Sequence, residues 1–172
     1  MPEPPFDESV AHRWLAVELN NGTWQWLEAE AYDDPSAERM VHAAHASCHH
    51  WLQVGGAANH ARAECLVANV HAAIGDGVGA IRHSLRCVEL TKANAKEMSD
   101  WDWAFAFDAL ARAHAASGEN KQASLVRMQA REFGEKIADK DDKAFFDKWH
   151  RPGNWHGLPA NMLAAQTLAA QT

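Results

Sequence analysis

The sequence lacks the signals of most specialised protein classes. Its 172 residues include only 3 Cys, 6 Pro and 1 Tyr. Cys48, Cys65 and Cys87 form no CxxC pair and are odd in number, which excludes a disulfide scaffold and predicts reduced, packed thiols. No apolar run reaches the roughly 18 residues of a membrane-spanning helix. Met1-Pro2-Glu3-Pro4-Pro5 has neither the basic nor the apolar part of a secretion signal, so a cytoplasmic protein is expected. Basic runs are absent too: 16 Lys and Arg stand against 23 Asp and Glu, a net charge of −7 that argues against a nucleic-acid partner. Nor is there the period-two alternation that half-buried strands require.

What remains is helical. A helix capped by Asp7 or Ser9 carries Val10, Trp14, Leu15, Val17 and Leu19, and Asn20-Asn21-Gly22 is expected to break it. A second stretch from Thr23 to Ala31 ends at Asp33-Asp34-Pro35, and Ser36 is placed to cap a helix reaching Val54. Further helices are predicted over about 58–74, 78–92, 100–117, 120–138 and 142–149, each bounded by Gly, Asn, Ser or Asp. Arg151-Pro152-Gly153-Asn154 reads as a turn. The low-complexity tail, 156–172, is expected to be mobile, leaving one all-α domain over 1–155.

The helices repeat. The stretch from Ala68 to Asp76 aligns with the stretch from Ala111 to Glu119 at a period of 43, and Ala80 and Cys87 then face Ala123 and Ala130. Small residues seven apart on the second helix of a hairpin allow close packing, since larger side chains would hold the pair apart. These features resemble the tetratricopeptide repeat (TPR). In that alignment Val67 and Leu110 take the usual leucine position, Ala68 and Ala111 the small one, and His71 and His114 an aromatic one. The period is longer than the usual 34 of that family, Glu64 stands where it commonly has tryptophan, and no proline closes either copy. The resemblance implies antiparallel helical hairpins stacked as a short TPR-like right-handed superhelix, with repeats at about 58–94 and 101–138 and a degenerate hairpin at about 9–55. The chain also resembles an uncharacterised bacterial family of such proteins, through Asn20-Asn21, the run from Met40 to Ser47 with His50-Trp51, and the run from Trp103 to Phe107.

Eleven histidines are the conspicuous surplus, and protonating them all would carry the formal charge from −7 to +4. With Met40, Val41, Ala44, Cys48, Trp51 and Leu52 forming the apolar face of their helix, His42, His45 and His49 fall in one stripe along its edge, at ~80–140° from Ala37. His60, Glu64 and His71 share a stripe on the next helix. Facing one another, the two stripes would make a His/Glu cluster able to hold Zn, Fe, Cu or Ni, although no His-Glu-x-x-His motif is present. The competing reading makes His71 and His114 satisfied core histidines and the other stripe an amphipathic edge. Buried neutral histidines must take up protons on unfolding, so stability is expected to fall below about pH 6.

Nucleophilic catalysis has little support. Cys48 and His49 are sequence neighbours that point apart on a helix, and Gly75-Asp76-Gly77-Val78-Gly79 follows a helix and reads as a turn. Asp100 suits an N-cap, while Asp102, Asp108 and Arg112 are expected on a solvated face, the last two as an i,i+4 pair. Most of the eight Trp belong in the core, but first helices of such repeats line a concave groove in which Trp and Arg anchor ligands. Trp51, Glu64, Asn69, Phe107 and Arg112 are the groove candidates, with His42 and His45 at its rim. The resulting expectation is a non-enzymatic binding module without cofactor, recognising a peptide, partner protein or small ligand. The alternative is a metal-binding helical protein, extending to a metal-dependent enzyme, that uses the His/Glu cluster. End faces of a short stack would favour a homodimer.

Overall fold

A computed structural model describes residues 6–29, 33–151, 155, 156 and 158, and these form seven α-helices. They are α1 (Glu8–Ala29), α2 (Asp34–Val54), α3 (Ala57–Ala73), α4 (Gly77–Ala93), α5 (Asp100–Ala116), α6 (Asn120–Gly134) and α7 (Lys140–His150). No strand occurs among the described residues. Consecutive helices pack as the pairs α1/α2, α3/α4 and α5/α6, while α3 also packs on α1 and α5, and α7 lies against α5 and α6. The helix termini read off the sequence hold within a few residues, with three differences.

Asn20-Asn21-Gly22 does not break α1, which is one helix of 22 residues. These residues cost helix propensity, but Leu15 and Ala16 before them and Thr23, Trp24 and Leu27 after them all turn toward the interior, and Leu27 and Trp24 pack on the core of α2 and α3. The Thr23 hydroxyl donates to the Leu19 carbonyl across the supposed break, at 2.7 Å. At the start of α2 the cap is Asp33 rather than Ser36, because the Asp33 carboxylate accepts the Ser36 amide. At α5 it is Ser99 rather than Asp100, whose carboxylate instead accepts the Ala138 amide, and α6 ends at Gly134 rather than near 138.

The period of 43 is visible in the turns. Gly75 and Gly118 hold φ of +81° and +74°, a backbone conformation cheap only for glycine, and they end α3 and α5 identically. Gly77 lets the first of these turns press on the second: a Cβ there would sit 2.8 Å from the backbone of Ser117. Ala80, Cys87, Ala123 and Ala130 are all buried, as the close-packing argument requires.

The centre of the molecule is α5, on which Asp102, every residue from Ala104 to Ala113, and Ala115 are buried. A helix apolar nearly all round has no solvent face to offer. That overturns the solvated-face expectation for Asp102, Asp108 and Arg112. Asp108 is fully buried and accepts from Arg112 Nε at 2.7 Å, Trp149 Nε1 at 2.9 Å and His150 Nδ1 at 2.7 Å. Trp155 and Leu158 are buried against Ala111, Ala115 and Ala123, so packing continues past 155. The expected end of the second stretch at Ala31, the turn at Pro152-Gly153-Asn154 and the rest of the tail lie outside the described residues.

Candidate functional site

Two places gather chemistry. The first is a pocket of about 580 Å³ where the inner faces of α1, α3 and α5 converge. Aromatic walls come from Trp24, Trp51, Trp101 and Phe105, with Phe145 of α7 closing one side and Asn20 and Asn21 supplying amides. The supposed breaker residues of α1 are therefore pocket residues. Arg62 crosses the site to Asp102 in a bidentate pair, Nε to Oδ1 at 2.7 Å and Nη2 to Oδ2 at 2.9 Å, and stacks over Trp101 at 4.3 Å. Asp102 is held from behind, since Oδ2 also accepts the Ser99 amide. Cys65, which lines this pocket together with Cys87, stays a thiol: its hydrogen bonding with Cys87 and its burial push its pKa well above the ordinary value.

Of the five groove candidates only Trp51 lines the pocket. Asn69, Phe107 and Arg112 are corrected to buried positions, Arg112 because α7 and Trp155 beyond it cover the helix face it shares with the pocket. Arg112 continues the stripe of Trp101 and Phe105, but its guanidinium is covered by Trp149 at 4.6 Å and Trp155 at 4.4 Å, so the chain itself fills the channel there. Asn69, the residue 43 before Arg112, is buried and donates to the Cys65 carbonyl. Phe107 packs on Phe133 in the core, and Glu64 turns toward α4. Trp14 and Trp26 are exposed rather than core. Arg62, Asp102 and Trp101 were missed as a unit because Arg62 and Asp102 are 40 residues apart and on different helices.

The second place is a histidine cluster. His45 of α2, His71 of α3 and His83 of α4 bring one potential ligand atom each to within 4.8 Å of one another. His45 Nε2 and His71 Nε2 are 3.1 Å apart, and the His71 and His83 rings stack at 5.5 Å. His71 Nδ1 donates to Asp76 at 2.8 Å and His83 Nδ1 to Glu64 at 2.6 Å, since a carboxylate oxygen accepts. Gly79 makes room for this: a Cβ there would collide with His71 Nδ1 and Asp76 Oδ2. His45 has its pKa lowered from the ordinary value, first by burial and then by the neighbouring His83 and His71.

His45 and His71 meet across the α2/α3 pair, as facing stripes would bring them, and Glu64 reaches the cluster through His83. His83 is on α4, and no stripe on α2 or α3 could reveal it. His42, His49 and His60 are corrected out of the cluster. His42 faces Glu38 in solvent, His49 turns toward His12 and His50, and His60 Nε2 donates to the Trp51 carbonyl at 3.2 Å. Helical phase drives the separation: His42 and His49 lie ~40–60° further round α2 than His45, far enough to miss α3 and α4. No family model, curated protein or solved structure matches the chain. No helix among the described residues is long and apolar enough to cross a membrane.

Proposed function

We propose that this protein is a TPR-like binding module whose ligand sits in the pocket between α1, α3 and α5. The observation that carries the proposal is the concave convergence of four aromatic rings on one bidentate Arg62–Asp102 pair. A volume of about 580 Å³ lies in the range of small-ligand sites, which bury most of a compact molecule against apolar walls with a few polar groups for orientation. An extended peptide would need the channel to continue along α5, where Arg112 is covered by Trp149 and Trp155. The pocket therefore suits a compact organic ligand or a single peptide side chain with its flanking amides. Flat rings stack on Trp24 or Trp101, and a polar edge meets Asn20, Asn21 and the Arg62 guanidinium.

The test is a screen of small aromatic and amide-bearing compounds by intrinsic tryptophan fluorescence and thermal shift. Binders are expected that lose at least tenfold in affinity in Trp101→Ala and in Arg62→Gln, and keep their affinity in Trp26→Ala, whose side chain is outside the pocket. Binders indifferent to Trp101 and Arg62 would overturn the assignment.

A further inference from the structure

We infer that His45, His71 and His83 form a binding site for one divalent transition-metal ion of the Zn2+ class, tying α2 to the α3/α4 pair. Imidazole suits Zn2+ and its neighbours, and three histidines with a fourth position open to water is a common ligand set for them. Two nitrogens bound to one tetrahedral Zn2+ at ~2.05 Å stand roughly 3.3 Å apart. His45 Nε2 and His71 Nε2 are already 3.1 Å apart. The Nδ1 atoms of His71 and His83 are engaged by Asp76 and Glu64, which leaves Nε2 of each ring as the coordinating atom. Metal-binding histidines are characteristically oriented in this way, with the other ring nitrogen donating to a carboxylate that makes the ligand more basic. His45 moves its proton to Nδ1 to complete the set. It lies on the exposed side of the cluster, where an ion can enter.

The molecule contains its own control. In the second repeat His114 Nδ1 donates to Glu119 at 2.6 Å, as His71 does to Asp76. The imidazole–carboxylate pair is thus a device that both repeats use at the end of a first helix. But Val88 and Val126 stand 43 residues after His45 and His83, so only the first copy adds two more imidazoles. The repeat device itself needs no second and third histidine.

The experiment is titration of the full chain, stripped with EDTA, with Zn2+ by calorimetry, and with Co2+ by visible absorption. One equivalent of Zn2+ is expected to bind at micromolar or lower concentration and to raise Tm, with Co2+ developing the intense bands of a tetrahedral site. His45→Gln and His83→Gln are each expected to weaken binding more than tenfold, Asp76→Asn by about 10- to 100-fold, and His114→Gln not at all. Because His45 is exposed, its variant keeps the proposal testable if a substitution at His71 fails to fold. The proposal falls if no stoichiometric Zn2+ binds, if His45→Gln and His83→Gln retain wild-type affinity, as capture by His12, His49 and His50 would give, or if His114→Gln is as damaging as they are. None of these outcomes depends on the aromatic pocket, which lies on other residues.

Discussion

Asp108 shows how much one residue can hold. Burial alone would raise its pKa, yet the Arg112 guanidinium and the His150 ring beside it outweigh that and hold the carboxyl at about 2. Its charge joins α5 to α7 through His150 and Trp149, and Arg112 reaches the Trp149 carbonyl as well. Asp108→Asn leaves a buried guanidinium without its counter-charge, a change that costs about 3 kcal/mol or more. Urea unfolding is the measurement, and a loss under about 1 kcal/mol would show that the pair is not needed. A folded pKa below the unfolded value means the carboxylate stabilises above about pH 4 and loses that contribution between about pH 4 and 2. The i,i+4 spacing of Asp108 and Arg112 was legible, but their burial was not, because the residues of α7 that cover them, Trp149 and His150, come more than 35 residues later.

At the scale of an element, α1 and the repeat turns make opposite demands on glycine. Gly22 lies inside a continuous helix, with nothing within 4 Å of where a Cβ would be. Gly22→Ala is therefore expected to stabilise the protein by about 0.5–1 kcal/mol, through the better helix propensity of alanine. Gly118, at φ +74°, also has open space, but there an L side chain is strained, and Gly118→Ala is expected to cost about 1–2 kcal/mol. Denaturation midpoints of the two variants check both signs together. If Gly22→Ala were destabilising, α1 would be broken where its sequence first suggests. Local signals read Gly118 correctly because a positive φ is a local property. They misread Gly22 because whether a weak helix segment survives depends on the surface it packs against, here the joint core of Leu27, Met40, Ala44 and Leu66.

For the whole molecule the histidines set the response to pH. His45 and His50 both have lowered pKa values, each through burial first and then through neighbouring imidazoles: His83 and His71 for the former, His12 and His49 for the latter. An unfolded histidine takes up its proton near pH 6.5, while these folded ones resist until lower pH. The unfolded chain therefore binds more protons in that window, and stability falls as pH drops below about 6.5. Tm is expected to decline between pH 7.5 and 5.5, and less steeply in a His45→Gln/His50→Gln double variant. A flat Tm over that range would refute this. The expected direction matches the sequence-based one, and its source includes clusters that meet across helices as well as His156, whose pKa burial lowers.

The all-α character, the turns from Val54 onward and the repeat of 43 were determined by the sequence alone, because turn geometry and the spacing of small residues act over a few neighbours, whereas the continuity of α1 was not. Glycine at positive φ and alanine at a close contact mean the same thing wherever the chain goes next. Tertiary structure alone decided which side chains meet. It gathered Trp24, Trp51, Arg62 and Trp101 from four helices into one pocket, filled the channel at Arg112 with α7, and selected His45, His71 and His83 from eleven histidines. Those groupings depend on how separate helices are rotated and docked against one another, and a rotation of ~40–60° is enough to put His42 in solvent and His45 in the cluster.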